Sequence, residues 1–183
     1  SHDSTVVPCS SDGGRGVSGS TGTTAIDALF ERTRAENRAA LVGYLPAGFP
    51  TKDQSIRAIQ AMVEGGVDLV EIGLPYSDPV MDGPVIQAAA ETALAAGSRT
   101  ADVFDVVAAT AATGVPTVVM TYWNPVERHG VEQFAADLAA AGGSGLITPD
   151  LIPDEAGEWI DASQTHHLDR VFLVAPSSTD ERL

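Results

Sequence analysis

The sequence predicts an α/β fold built on a parallel sheet, and three observations support this prediction. Short apolar segments alternate with segments whose apolar residues have helical spacing. The short segments are apolar almost throughout, as in strands that are buried on both faces. Gly and Pro residues separate the two kinds of segment. Strands that alternate with helices form βαβ units, in which the strands run parallel.

The elements follow one another in a regular order. Thr24 can cap a first helix that runs to about Asn37. The strand patterns are Ala40–Leu45, Val67–Leu74, Pro116–Tyr122, Gly145–Thr148 and Arg170–Val174. The later helical patterns are a segment with Ile56, Ile59 and Met62 that ends at Gly65, and then Pro84–Ala96, Thr100–Thr113, Val131–Ala141 and Asp154–Thr165. Thr179 to Glu181 is typical of the opening of another helix.

The composition divides the chain into a tail and a folded region. Residues 1–24 are rich in Ser, Gly and Thr and are predicted to be a flexible tail, in which Ser1-His2 is typical of a tag remnant. Residues 25–183 carry the alternating pattern and form one domain.

Charge and cysteine usage limit the classes of function. The net charge is -15 and the isoelectric point is about 4.3, so general binding to nucleic acid is not expected. A phosphorylated ligand remains compatible, because helix N-termini can hold phosphate without basic side chains. No apolar stretch approaches the roughly 20 residues that cross a membrane. The single cysteine, Cys9, fits a reducing cytoplasm.

Two architectures fit the alternation equally well. Both a doubly wound sheet and a (β/α)₈ barrel contain such βαβ units, and periodicity does not separate them. A barrel usually needs about 250 residues, so under that interpretation the chain covers about the first five β/α units and the last units are absent. The chain has no G-x-G-x-x-G after its first strand and no Walker loop, which disfavours nucleotide binding.

Glu71 is the first candidate for chemistry, because it interrupts an apolar strand. Alternation places Glu71 on one face with Leu69 and Gly73, while Val70 and Ile72 face the other way. A carboxylate there is costly unless it is partnered or protonated. The strand's carboxyl end is where barrel enzymes carry catalytic groups, but a buried pair with an Arg explains the pattern equally well.

Asp82 is the second candidate, in the loop that follows the same strand. Asp82-Gly83-Pro84 before an apolar segment is typical of a helix N-cap with Pro in the first turn, and spacing alone favours that role. Three prolines stiffen the surrounding loop, which carries Asp78 and Asp82 above the strand end.

Together these segments resemble the tryptophan synthase α subunit family from about Ile26 to Leu183. The matching motifs are Val70-Glu71-Ile72-Gly73, Pro75-Tyr76-Ser77-Asp78-Pro79, Met81-Asp82-Gly83-Pro84-Val85-Ile86-Gln87, Gly43-Tyr44-Leu45-Pro46-Ala47-Gly48-Phe49-Pro50, Met120-Thr121-Tyr122-Trp123-Asn124-Pro125 and Leu146-Ile147-Thr148-Pro149-Asp150-Leu151. Each motif alone is weak, but the combination is highly specific. The resemblance implies a (β/α)₈ barrel and a lyase of tryptophan biosynthesis that cleaves indole-3-glycerol phosphate to indole and glyceraldehyde 3-phosphate.

The resemblance also implies roles for individual residues. Glu71 would protonate the indole ring at C3 and then deprotonate the side-chain hydroxyl, and Asp82 would bind the ring N–H. The positions that line the indole pocket correspond to Tyr44, Met120, Tyr122, Ile147 and Leu173, although core packing explains Met120, Ile147 and Leu173 equally well. The family's phosphate-binding residues would lie beyond Leu183.

A partner and the absence of a cofactor on this chain are implied in the same way. The partner is the β subunit, which carries pyridoxal phosphate, in an αββα assembly. Ser77, Asp78, Pro79 and Asn124 match family regions that face it. The only lysine, Lys52, is poorly sited for a Schiff base, and the scattered histidines, expected at the surface, have no metal-site spacing.

Two other functions remain compatible with the sequence. Another phosphate-binding barrel lyase or isomerase would share the carboxylate at the strand end but would not need Asp82. A non-catalytic subunit that activates a partner would be expected to have lost Glu71 or Asp82, and both are present.

Overall fold

The structure is a computed structural model that describes residues 23–174, 176 and 178. Its strands are β1 (Val42–Pro46), β2 (Leu69–Gly73), β3 (Thr117–Met120), β4 (Gly145–Thr148) and β5 (Asp169–Phe172). Its α-helices are α1 (Ala25–Ala35), α2 (Lys52–Glu64), α3 (Pro84–Ala95), α4 (Thr100–Ala111), α5 (Trp123–His129), α6 (Val131–Ala140) and α7 (Gly157–Thr165), with a 3₁₀ turn at Pro153–Glu155. The predicted tail up to residue 22 and the predicted helix opening at 179–181 lie outside the described residues.

The helix boundaries follow from local capping. Thr24 and Asp27 form the capping box that begins α1, with the Asp27 N–H donating to the Thr24 hydroxyl over 3.1 Å. Thr51 caps α2 in a similar way, and α2 ends at the C-cap residue Gly65. Apart from the start of α7, the predicted helix starts and ends are confirmed to within about two residues, the usual scatter of helix ends.

The sheet has the strand order of a barrel. Within the described residues its strands are all parallel and run in the order β1-β2-β3-β4-β5, each paired with the next in sequence. A doubly wound sheet requires a point at which the strand order reverses. The described sheet has no such reversal, which favours the barrel.

The two faces of the sheet pack against different partners. Val70, Ile72, Val119 and Leu146 face the helices and belong to the main core, together with large side chains such as Phe134 and Trp159. The opposite face carries a smaller cluster in which Leu29 of α1 packs against Leu69 and Val118. Both of these strand residues lie near the amino ends of their strands, so α1 lies at that end and the opposite end remains for the site.

The structure differs from the predicted elements in three places. Strand β1 continues through Pro46, which is tolerated because β1 is an edge strand of the described sheet. A helix, α5, occupies residues that the sequence predicted as a connection. The predicted helix Asp154–Thr165 is divided into the 3₁₀ turn and α7, because Ala156 leaves helical geometry at φ -93° and ψ 14°.

Candidate active site

The strand register brings the predicted site residues onto one face of the sheet. Tyr44 pairs with Glu71 across β1 and β2, and Met120 pairs with Ile147 across β3 and β4. Laterally paired residues of a parallel sheet point to the same face, and this is the face of Leu69 and Val118. Along their own strands Glu71 lies two residues nearer the carboxyl end than Leu69, and Met120 two residues nearer than Val118, while Glu71 is itself paired with Val118. The predicted alternation of β2 is confirmed.

Glu71 is half-buried and has no ion-pair partner among the described residues. The alternative role from the sequence, a structural pair with an Arg, is therefore not what the described residues provide. Burial raises the pKa of the Glu71 carboxyl above its ordinary value, because the charged form is less well solvated there. The site thus contains a carboxyl group that retains its proton to a higher pH than an exposed glutamate.

Asp82 is hydrogen-bonded by Tyr122, which lies two residues after the end of β3. The Tyr122 hydroxyl donates a hydrogen bond to Asp82 Oδ1 over 3.2 Å, and it accepts one from the Met81 N–H over 2.9 Å. The side-chain amide of Gln87 donates to the Asp82 carbonyl oxygen over 2.8 Å.

The capping role that spacing favoured for Asp82 is wrong. The N-cap of α3 is Gly83, which provides no side-chain hydrogen bond. Asp82 lies one residue before the cap, and its carboxylate is turned towards Tyr122. Pro84 does occupy the first turn of α3, as predicted.

Tyr44 lies across β2 and places its hydroxyl near both carboxylates. A side chain at Gly73 would meet the Tyr44 ring, with Cζ only 2.8 Å from an ideal Cβ, so the ring covers Gly73. Burial raises the pKa of the Tyr44 hydroxyl, and the negative charges of Asp82 and Glu71 raise it further. The Tyr44 hydroxyl therefore remains a neutral O–H donor beside the two carboxylates. Tyr44 is the middle residue of β1.

The remaining predicted pocket residues have different environments. Met120 and Ile147 are half-buried, and Ile147 packs against the cluster of Leu29, Leu69 and Val118. Tyr122 is almost fully buried, with 3% of its surface exposed. Leu173 follows β5 and is 53% exposed, so its place in a pocket remains a prediction.

Two of the four residues predicted to face a partner, Ser77 and Asn124, line one groove. Ser77 and Asp78 are exposed and hydrogen-bonded to each other over 2.8 Å, and Pro79 follows them in the loop. A groove of about 320 Å³ is lined by residues that include Ser77, Asn124, Arg128 and His129. The ring of His129 is only partly exposed and lies 2.7 Å from Asp137, so this histidine is not the surface residue that was expected.

Asp150, in the loop after β4, has a structural role that the sequence analysis did not single out. Its two carboxylate oxygens accept the Trp123 N–H over 2.9 and 3.1 Å, which anchors the first turn of α5 to the loop after β4. The sequence feature that could have identified Asp150 is its position two residues after a predicted strand, because functional groups of barrel proteins are often found at the carboxyl ends of strands.

Cofactor and metal chemistry have few candidate groups in the described residues. Lys52 forms ion pairs with Asp102 and Asp105, which raise the pKa of its ammonium group to about 12. Within residues 23–174, 176 and 178, no cluster of three or more His, Cys, Asp or Glu side chains could hold a metal ion. In the same residues no helix is both long and apolar enough to span a membrane.

Comparison with known proteins places these features in a family. The family model described as tryptophan synthase alpha chain matches residues 30–183. The tryptophan synthase alpha chain of Salinispora arenicola is 67% identical over 158 residues, which are 86% of this chain and 59% of that protein. The alpha chain of Acidothermus cellulolyticus is 64% identical over 160 residues, 87% of this chain and 60% of that protein.

Solved structures give the same result at the level of the fold. Tryptophan synthase from Mycobacterium tuberculosis, in an open form with BRD0059 bound, superposes with a TM-score of 0.86 at 58% identity and covers 88% of this chain and 65% of that one. The alpha subunit from Legionella pneumophila has a TM-score of 0.83 at 35% identity, over 88% of this chain and 62% of that one.

The match covers most of this chain but only part of its relatives. The chain spans about three fifths of the length of the curated relatives it matches. Its sequential parallel strands, with helices between them, are those of a (β/α)₈ barrel of this type. The chain belongs to the tryptophan synthase alpha chain family.

Proposed function

We propose that the protein to which this chain belongs cleaves indole-3-glycerol phosphate to indole and glyceraldehyde 3-phosphate. The observation that carries the proposal is a pair of carboxylates, one within β2 and the other in the loop that follows it. Glu71 is half-buried with a raised pKa, and Asp82 is oriented by Tyr122 in the loop above it. Membership of the family supports the choice of substrate.

Glu71 is proposed to act first as an acid and then as a base. Its proton goes to C3 of the indole ring, which leaves a positive charge on the ring nitrogen. The resulting carboxylate takes the proton of the side-chain hydroxyl. As the bond from C3 to the glycerol chain breaks, its electron pair returns to the ring and the hydroxyl carbon becomes the aldehyde. The raised pKa of Glu71 favours the protonated form that the first step needs.

Asp82 is proposed to hydrogen-bond the ring N–H and stabilise its developing positive charge. A carboxylate is suited to this role because a hydrogen bond to a charged acceptor is roughly twice as strong as one between neutral groups. Tyr122 bonds to Oδ1, and among the described residues the structure has no hydrogen bond to Oδ2. That oxygen is available to the ligand. The ring itself accepts the electrons, so we propose that this chain requires no cofactor.

The assembly follows from the family and is part of the same proposal. A β subunit carrying pyridoxal phosphate would dock at Ser77, Asp78, Pro79 and Asn124, within a cytoplasmic αββα complex. The groove lined by Ser77 and Asn124 supports this location. The phosphate group of the substrate is expected to be held by residues beyond Leu183.

The test is indole release by the full-length protein. Glu71→Gln keeps the size of the side chain but removes its proton transfer, and a general acid–base group contributes about 10²–10⁴-fold to the rate. Asp82→Asn keeps an oxygen that can accept the Tyr122 hydrogen bond but removes the negative charge, and we expect a loss of similar order. The matched control is Glu91→Gln on the exposed surface of α3. Near-normal turnover by Glu71→Gln would refute the assignment of Glu71 as the catalytic acid and base.

A further inference from the structure

Tyr122 occupies a fixed position between two strand ends. It is the N-cap residue of α5, directly after Thr121, and is 3% exposed. The next residue, Trp123, donates its N–H to both carboxylate oxygens of Asp150. The Tyr76 ring lies on the Tyr122 ring, with 5.6 Å between their centroids. The backbone next to Tyr122 and the Tyr122 ring are therefore both held in place.

Its hydroxyl contacts two successive residues of the loop after β2. The Met81 N–H donates to the hydroxyl oxygen over 2.9 Å, and the hydroxyl lies 3.2 Å from Asp82 Oδ1. A phenol hydroxyl has a single proton, and the Met81 N–H occupies a lone pair. The proton is therefore directed to the Asp82 carboxylate.

Apolar burial does not hold this part of the loop. The side chains of Val80 and Met81 are 82% and 55% exposed. Among the described residues, the other side-chain hydrogen bond to Asp82 runs from Gln87 to its carbonyl oxygen, and this bond does not restrain the carboxylate. The position of the carboxylate thus depends on Tyr122.

We propose that Tyr122 is the positioning residue of Asp82, which holds one carboxylate oxygen so that the other points to the ring N–H of the ligand. The proposal rests on the proposed function. A neutral hydroxyl suits this role because it orients the carboxylate without cancelling its charge, as an Arg or Lys would. The role differs from lining the pocket, because it acts through Asp82.

The experiment uses Tyr122→Phe in the full-length protein, which keeps the buried ring and removes only the hydroxyl. Hydrogen bonds to charged groups are worth about 10- to 100-fold in an equilibrium or rate constant. We expect kcat to fall by about that factor with little change in KM, because orientation of Asp82 matters most when charge develops on the ring. The control is Tyr76→Phe, whose ring packs in the same pair, and it should retain the parent rate.

Two further measurements separate positioning from a structural role. Combining Tyr122→Phe with Asp82→Asn should give little more loss than Asp82→Asn alone, because the first change acts through the second group. Hydrogen exchange should be faster at the Met81 amide in Tyr122→Phe and unchanged in Tyr76→Phe.

The outcomes are distinct. A kcat for Tyr122→Phe equal to that of the parent, a full additional loss in the Asp82→Asn background, or an unchanged Met81 exchange rate would each overturn the proposal. If the parent protein releases no indole, the proposed function fails, and the exchange measurement still decides whether Tyr122 holds the loop.

Discussion

The Tyr122 hydroxyl lies 3.2 Å from Asp82 Oδ1, although 40 positions separate the two residues in the chain. The contact joins the loop after β2 to Tyr122, the second residue after β3. These strands are neighbours in the sheet, so their carboxyl ends are adjacent. This hydrogen bond between adjacent strand ends therefore orients Asp82, for which the local sequence favoured the role of a helix cap.

Glu71→Gln is expected to stabilise the protein at neutral pH while it removes activity. A glutamate whose pKa is raised in the folded state is ionised more readily after unfolding, so its contribution becomes more destabilising as pH rises through the unfolded pKa, about 4.3. A Gln side chain does not ionise, so its contribution to stability does not change with pH in this way. The difference in thermal midpoint between the variant and the parent, measured from pH 4 to pH 8, should grow with pH. A parent that is the more stable of the two at pH 8 would indicate a partner for ionised Glu71.

Asp68 should show the opposite dependence. Its carboxylate accepts hydrogen bonds from Arg38 over 2.7 and 2.8 Å and from the Leu41 N–H over 2.8 Å, which hold its pKa well below the ordinary value. The stabilisation is present above the unfolded pKa, about 3.9, and is lost as pH falls through the folded pKa.

Asp68→Asn should therefore lower the thermal midpoint at pH 7, and the deficit should shrink towards pH 2. Asp105→Asn, which changes an exposed carboxylate paired with Lys52, serves as the control. Because Asp68 lies before the amino end of β2, the rate of indole release should be unchanged. A deficit of equal size at pH 2 and pH 7 would contradict the ionic explanation.

Gly73→Ala should displace Tyr44 from the site. An added Cβ would lie 2.8 Å from Tyr44 Cζ and 3.0 Å from Cε2, closer than carbon atoms approach. Overpacking of this kind typically costs about 1–3 kcal/mol. We expect lower stability and slower indole release, and a partial return of stability when Tyr44→Ala is added to Gly73→Ala.

Gly83→Ala is the matched control, because nothing lies within 4 Å of the added Cβ there. If Gly73→Ala behaves like Gly83→Ala, the Tyr44 ring does not depend on that space.

Asp78→Ala is expected to weaken binding of the β subunit to the full-length protein. Asp78 is exposed and bonded to Ser77 in the loop that also carries Asp82. Under the proposed function this loop contacts both the β subunit and the substrate, so we expect the two sites to be coupled, and such coupling is reciprocal for binding. Titration with and without a substrate analogue should give a tighter complex when the analogue is present.

Glu31→Ala is the control for that titration, since α1 packs near the amino ends of the strands. Equal affinities for the parent and Asp78→Ala would remove Asp78 from the interface. Equal affinities with and without the analogue would refute the coupling.

The sequence by itself determined most of the elements and the two carboxylates. Helix α1 could be predicted because its capping box, Thr24 and Asp27, lies within four residues, and strand β4 was predicted with its observed ends. Glu71 was apparent because a carboxylate in an apolar strand breaks a local pattern. Each of these signals is local, and local propensity needs no knowledge of distant residues.

Only the tertiary structure decided the strand order, the existence of α5 and the role of Asp82. Helix α5 is seven residues long and contains Pro125, which its first turn tolerates because an N–H there has no partner within the helix. Its start is held by Asp150, 27 residues away, and its N-cap residue Tyr122 binds Asp82. Such contacts form when parallel strands bring their carboxyl ends together. The two residues of each contact are far apart in the chain, so no short segment of the sequence contains both of them.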